Sequence, residues 1–248
     1  RAAGAAPGRG AAAGAVGAAA PPAQTPPPTT TTPPTAPLAQ QPGLYRATLP
    51  GGHTLAVMIA DVATGEAREV WHPEAGSAFG NLNNITWAGD VFIWTQLAKP
   101  TDESNSYYAM GVSGKTAPVQ LTTTVGIIED ATAAALSRDG KMLYYCTNTN
   151  DIDRRHIWGV PTSGGTPVQI TTGDGIENVP VPLSSGKQVA VLYADAKRPM
   201  SVAIWPTQPT PAAVGQKAQK VIYPTLGPDF PKASMVAPTN VTLKSEDG

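Results

Sequence analysis

Charge, cysteine and long apolar runs are all scarce in this sequence. Only 14% of the 248 residues are charged, and 17 Lys and Arg nearly balance 18 Asp and Glu. A protein that binds nucleic acid through its phosphates needs a basic surface, so this balance argues against nucleic acid as a partner. No apolar run reaches the roughly 18 residues that a membrane-spanning helix requires, and we expect no such helix here.

The chain is equally poor in thiols and metal ligands. Its one cysteine, Cys146, cannot form an internal disulfide, and its apolar neighbours predict a small buried side chain. The three histidines, His53, His72 and His156, are scattered through the sequence without the spacing of a metal site. We therefore expect no metal and no cofactor.

Glycine and proline, by contrast, are abundant and unevenly spread. They number 25 and 26, and because both disfavour helix interiors they argue against an all-helical fold. Residues 1–43 are dominated by Ala and Gly and then by Pro and Thr, a composition that cannot bury a core. This segment predicts an extended arm or insert, and a Pro/Thr stalk carrying O-linked sugars is the alternative.

From residue 44 onward the sequence pattern predicts short β-strands. Apolar runs of four or five residues are separated by Gly, Asn, Asp and Ser, and no convincing helical periodicity competes with them. Their β-branched and aromatic content favours strands. They include Val91-Phe92-Ile93-Trp94, Met142-Leu143-Tyr144-Tyr145 and Val189-Ala190-Val191-Leu192-Tyr193.

Internal repetition is the strongest signal in the sequence. At a spacing of about 50 residues, three strings recur in matching order along the chain. The pairs are Pro118-Val119-Gln120-Leu121-Thr122 with Pro167-Val168-Gln169-Ile170-Thr171, Ser137-Arg138-Asp139-Gly140-Lys141 with Ser184-Ser185-Gly186-Lys187, and Ile157-Trp158 with Ile204-Trp205.

Each repeat predicts four short antiparallel strands joined by Gly-containing hairpin turns. Such units are typical of β-propeller blades, which stack on neighbours to bury their faces, whereas sandwich domains need about 100 residues. Units are predicted at residues 83–130, 131–177 and 178–224, with a partial one at 44–82. Residues 44–235 thus predict an all-β domain of about three and a half blades, which fits an arc of a larger ring better than a closed one.

Three segments resemble a known peptidase family. The turn Ser137-Arg138-Asp139-Gly140-Lys141 and the strand after it resemble the Ser-Pro-Asp-Gly-Lys turn of propellers attached to prolyl-oligopeptidase-type serine peptidases, with Arg138 in place of proline. The run Asp151-Ile152-Asp153-Arg154-Arg155-His156-Ile157-Trp158 is similar to one in bacterial dipeptidyl-peptidase-IV-like and acylaminoacyl-peptidase-like members. Residues 236–248 resemble the exit segment through which such chains enter an α/β-hydrolase domain.

The resemblance implies a gating role rather than catalysis by this chain. In that family a serine within a Gly-x-Ser-x-Gly turn attacks the substrate carbonyl, and no such string occurs here. We therefore assign no catalytic residue and expect the chemistry in an α/β-hydrolase domain of the same gene or of a second chain. The propeller would admit short peptides and exclude folded proteins by size.

One charged cluster is the candidate site. Its members lie at a predicted junction between a loop and a strand, and they form either a substrate-facing or domain-facing patch or a network within one blade. In the second case, arginines would bind carboxylates and backbone carbonyls. The five residues are Asp151, Asp153, Arg154, Arg155 and His156.

Three functions stay open at this point. The favoured one is the propeller of a periplasmic or extracellular serine peptidase, with the hydrolase domain and peptide substrates as partners. The second is a stand-alone binding propeller, similar to the periplasmic Tol-system type. The third is a surface-assembly component whose arm threads into a neighbour, in which case further copies of the chain could be partners.

Overall fold

The computed structural model describes residues 52–53, 55–74, 82–97, 99, 102, 104–128, 133–208 and 219–245. These residues form strands and turns, including a 3-10 turn at Lys232–Ser234, and no α-helix occurs among them. None of them belongs to a helix with the length and hydrophobicity needed to cross a membrane. The predicted arm at residues 1–43 lies outside the described residues.

The strands form one hairpin and three four-stranded sheets. The hairpin contains β1 (Val57–Ala60) and β2 (Ala67–Trp71). The first sheet contains β3 (Asn83–Ala88), β4 (Val91–Gln96), β5 (Ser106–Gly111) and β6 (Val119–Gln120). The second contains β7 (Ala135–Leu136), β8 (Met142–Thr147), β9 (His156–Pro161) and β10 (Val168–Gln169). The third contains β11 (Ile176–Pro182), β12 (Gln188–Asp195), β13 (Arg198–Pro206) and β14 (Lys220–Tyr223).

All three sheets have the same topology. Their strands lie side by side in chain order, and every neighbouring pair is antiparallel. This is the four-strand unit that the repeat predicts, so the predicted fold class is confirmed for the described residues.

The repeated Leu-Thr or Ile-Thr pair fastens the fourth strand of a sheet to the third. In the first sheet the Leu121 N–H donates to the carbonyl of Tyr107 at 2.8 Å, and the Thr122 hydroxyl accepts from the Tyr107 N–H at 2.9 Å. In the second sheet Ile170 and Thr171 make the same two bonds, of 2.8 and 2.9 Å, to the third strand. The repeated Leu-Thr and Ile-Thr pairs therefore make the same two hydrogen bonds in the two sheets.

Neighbouring sheets stack face to face through alternating side chains. Along β8, Leu143 and Tyr145 pack in one core, whereas Tyr144 and Cys146 pack in another, because successive side chains of a strand point to opposite faces. The core between the first and second sheets contains Ile93, Tyr107, Ala109, Leu121, Leu143, Tyr145, Trp158 and Val160. The core between the second and third contains Tyr144, Cys146, Ile157, Ile170, Val189, Val191, Tyr193, Ala203 and Trp205.

The hairpin extends this stack on the other side of the first sheet. Val57 and Val70 of the hairpin pack with Phe92, Trp94, Tyr108 and Met110 of β4 and β5. Trp94 is fully buried there, and its ring centroid lies 5.4 Å from that of Phe92. Four-stranded meanders packed face to face in succession are propeller blades, so the described residues form a partial β-propeller.

The third sheet has one face outside this stack. Val189 and Val191 of β12 point into the core, so Ala190 between them points to the opposite face. The cross-strand partners of Ala190, Val181 and Ile204, lie on that same opposite face. Val181 is 53% exposed, so this apolar face is only partly covered by the described residues.

Candidate functional site

A cavity of about 1060 Å3 lies where loops of the second and third sheets meet the chain that follows β14. We call it the inter-blade cleft. Its lining carries charges of both signs, which distinguishes it from the apolar cores between the sheets. The charged residues are Asp153, Arg154, Asp174, Asp195, Lys197 and Lys232.

The loop between β8 and β9 forms one part of the cleft and is shaped by its own charges. The Arg154 guanidinium donates to a carboxylate oxygen of Asp151 at 3.1 Å. Burial opposes ionisation of Asp151, but the hydrogen bonds from Arg154 and from the Asp153 N–H outweigh it and hold the pKa of Asp151 below its ordinary value. This pairing fixes the turn from which Asp153 and Arg154 reach the cleft.

The segment after β14 contacts that loop through a side-chain hydrogen bond. The Asn240 amide donates to the Asp153 carboxylate at 2.5 Å, across 87 positions of sequence. Both residues line the inter-blade cleft. The contact joins the two segments of the chain that carry the more specific part of the family resemblance.

The third sheet contributes Tyr193, Asp195 and Trp205 to the lining. The Tyr193 hydroxyl donates to Asp195 at 2.5 Å. Burial, together with the hydrogen bond and the negative charge of Asp195, raises the pKa of Tyr193 to about 12. Trp205 is buried, and its indole N–H has no hydrogen-bond partner among the described residues.

His156 lies elsewhere, between the second and third sheets. Its Nδ1 is 2.8 Å from a carboxylate oxygen of Glu177, and the two side chains are 3% and 0% exposed. The Glu177 backbone N–H donates to the Arg155 carbonyl at 2.8 Å, and the Cys146 thiol donates to the Glu177 carbonyl at 3.3 Å. These contacts tie the first strand of the third sheet to the second sheet.

The five predicted site residues therefore divide into three groups. Asp153 and Arg154 line the cleft, whereas Asp151 and Arg155 support the loop, since Arg155 donates to the carbonyls of residues 152 and 154 at 3.3 Å. His156 is buried and belongs to no exposed patch. Asp151, Arg154 and Arg155 thus form a hydrogen-bond network within one blade. A substrate-facing or domain-facing role for Asp153 and Arg154 stays a prediction.

Sequence reasoning missed several residues of this region. Nothing local marks Glu177, because its partner His156 comes from another sheet. Tyr193 and Asp195 lie two positions apart in β12, and their hydrogen bond to each other carries no sequence motif. The internal repeat does single out Trp205, because this residue is the counterpart of Trp158 in the preceding repeat. The indole N–H of Trp158 also lacks a hydrogen-bond partner among the described residues, so the repeat preserves this feature as well.

The structure also brings together two histidines that lie 19 positions apart in the sequence. The rings of His53 and His72 stack with centroids 3.9 Å apart and an interplanar angle of 8°. Glu69 lies beside them. Their spacing in the sequence does not show this proximity, because it is the β1–β2 hairpin that brings the two histidines together.

Replacing Asp195 with Asn should lower the pKa of Tyr193 but leave it above the ordinary tyrosine value. The substitution removes the negative charge that favours the protonated phenol, whereas burial continues to act. An ultraviolet titration of tyrosinate, referenced to Tyr193→Phe to isolate this one side chain, measures the change. An unaltered Tyr193 titration in Asp195→Asn would show that the carboxylate does not act on it.

The fold and the cleft define the class of this chain as a partial β-propeller with a cleft at an inter-blade edge whose lining includes charges of both signs. No protein-family model and no curated protein matches the sequence.

Among solved structures, the chain is similar to TolB from Acinetobacter baumannii at 16% identity and a TM-score of 0.44, covering 68% of this chain and 38% of that one. It is similar to an oligogalacturonate lyase from Vibrio parahaemolyticus at 10% identity and a TM-score of 0.48, covering 67% and 42%. Dipeptidyl peptidase 4 from Porphyromonas gingivalis matches at 12% identity and a TM-score of 0.43, covering 60% and 20%. The chain spans less than half the length of each of these structures.

Proposed function

We propose that this chain is the propeller part of a serine peptidase of the prolyl-oligopeptidase type. Its role is to gate access to an active site that another domain carries. Short peptides pass the propeller, and folded proteins are excluded by size. The proposal is supported by the repeated four-stranded blades and by the family resemblance of the turn at residues 137–141, the run at residues 151–158 and the segment at residues 236–248.

The single observation that carries the proposal is the contact between Asp153 and Asn240. In the family that the sequence resembles, the segment corresponding to residues 236–248 leads from the propeller into the α/β-hydrolase domain. Asn240 belongs to that segment, and it is held against the loop of the similar run at residues 151–158. A domain that follows this segment would start beside the inter-blade cleft.

The charges of the cleft suit such a junction. Asp153, Asp174 and Asp195 lie near Lys197 and Lys232 on its lining. A surface with both signs can pair with a polar domain surface or with the charged ends of a short peptide. The proposed partners are therefore the hydrolase domain and the peptide substrate.

The catalytic serine belongs, in this proposal, to the hydrolase domain. Residues 1–248 contain no Gly-x-Ser-x-Gly string, and the nearest approach to one, Gly111-Val112-Ser113-Gly114, lies at the end of β5 and in the turn after it. A periplasmic or extracellular location is part of the same proposal, since it follows from the family resemblance.

Labelling of the native full-length protein with a fluorophosphonate tests the proposal. We expect one serine to react, in the full-length protein or in a chain that co-purifies with it, and that serine to lie outside residues 44–248. Ser113→Ala is the matched control and should leave the labelling unchanged, because Ser113 is a turn residue. A native sample in which no serine reacts, or in which Ser113 itself reacts, contradicts the peptidase assignment.

A further inference from the structure

A second cluster of chemically capable side chains lies at the open end of the β1–β2 hairpin, in a part of the molecule that the proposed function does not use. Val57 pairs with Trp71 at that end of the hairpin. His72 follows β2 directly, and His53 precedes β1 by a few residues. The antiparallel pairing therefore returns two histidines to one place, and Glu69 of β2 joins them.

The three side chains are close enough to share one ion. A ligand atom from each of His53, Glu69 and His72 lies within 4.8 Å of the others. The His72 Nδ1 is 2.5 Å from a carboxylate oxygen of Glu69. Two imidazoles and one carboxylate form a ligand set that zinc uses in open sites, with a fourth position left for water or another ligand.

His53 supplies an independent reason to expect a ligand. Its side chain is buried, at 6% exposure, and neither of its ring nitrogens has a hydrogen-bond partner among the described residues. A neutral imidazole has one donor and one acceptor nitrogen, and leaving both unpaired away from water costs stability. Binding of a cation to the acceptor nitrogen would satisfy it.

We infer that His53, Glu69 and His72 form a binding site for a divalent transition-metal ion of the zinc class. Parallel stacked rings direct their lone pairs side by side, so one ring must turn out of the stack for both to reach the same ion. His72 can do this, because its side chain is 45% exposed. The bound ion would cross-link the segment before β1 to the end of β2, and so stabilise the open end of the hairpin.

The test is a titration of the metal-stripped chain of 248 residues with Zn2+, followed by calorimetry, and with Co2+, followed by its visible absorption. We expect one ion per chain, a rise in unfolding temperature with Zn2+, and a Co2+ spectrum of low coordination number. In His72→Gln the affinity should fall by at least about 100-fold, since even residues that only support metal ligands contribute about 10–100-fold.

Glu66→Gln is the matched control for Glu69→Gln. Both residues are exposed and both substitutions remove one negative charge from the same hairpin, but Glu66 is not part of the cluster. Only Glu69→Gln should weaken Zn2+ binding. His53→Gln should abolish Zn2+ binding. If that variant does not fold, the affinity of His72→Gln is the deciding measurement, because His72 is half-exposed.

The site is absent if the wild-type chain binds no stoichiometric Zn2+. It is also absent if His72→Gln binds as tightly as the wild type, or if Glu66→Gln and Glu69→Gln weaken binding equally. None of these outcomes depends on the proposed peptidase function, because the readouts are affinity, spectrum and unfolding temperature.

Discussion

The Gly140→Ala variant is expected to lose about 2–5 kcal/mol of unfolding free energy, from two separate effects. Gly140 has a φ of 70°, which costs a residue with a Cβ about 1–2 kcal/mol. A Cβ at this position would also lie 2.9 Å from the backbone carbonyl carbon of Ala88 and 3.1 Å from the Gly89 nitrogen. These atoms belong to the β3–β4 turn of the first sheet, so the clash separates two blades and should add about 1–3 kcal/mol.

Gly186→Ala is the control that the repeat provides. Gly186 occupies the equivalent turn of the third sheet, with a φ of 69°, and its N–H donates to the Leu183 carbonyl at 2.9 Å as that of Gly140 does to Ser137 at 2.8 Å. No atom lies within 4 Å of a Cβ built there. Gly186→Ala should therefore lose only about 1–2 kcal/mol.

Urea unfolding of the two variants measures the difference directly. A larger loss in Gly140→Ala than in Gly186→Ala supports close packing of the first blade against the second. Equal losses in the two variants would mean that the turn of the second sheet does not touch its neighbour, and the blade stacking described here would be wrong at that point.

Removing either partner of the His156–Glu177 pair should cost about 3–5 kcal/mol of unfolding free energy, because a buried charged or polar group then loses its partner. The side chains are 3% and 0% exposed and come from different sheets. His156→Ala and Glu177→Ala should each show this loss in urea unfolding. The double variant should lose less than the sum, since the second substitution removes the group that the first left unpaired.

The exposed pair His72–Glu69 has the same chemistry and serves as the control. Its side chains are 45% and 40% exposed, so in a chelator-containing buffer Glu69→Ala should cost less than about 1 kcal/mol. Additive losses at His156 and Glu177, or losses no larger than those at the exposed pair, would show that the buried pair does not join the second and third blades.

The architecture of the described residues was predictable because its determinants are local and repeated. Asp139 and Gly140 mark a hairpin turn by their backbone preferences, and the recurring Leu121-Thr122 and Ile170-Thr171 pairs mark where a fourth strand is fastened. Since these signals recur about every 50 residues, the number and kind of strands in each sheet could be derived without any long-range information.

The contacts between sheets could not be predicted in the same way. Glu177 is the second residue of β11, and no sequence pattern pairs it with His156, because that pairing depends on how one sheet stacks on the next. The Asp153–Asn240 contact spans 87 positions for the same reason. His53 and His72 illustrate a milder failure, since predicting the hairpin register that pairs Val57 with Trp71 would have placed them together.

A crystal structure of the full-length protein is the most direct measurement of the central claim, that these sheets are blades of a ring that gates a separate active site. The predicted result is a further four-stranded blade packed on the partly exposed face that carries Val181 and Ile204, with a hydrolase domain beside Asp153 and Asn240. A structure in which solvent or a helical layer covers that face, and no hydrolase domain adjoins the inter-blade cleft, would contradict the claim.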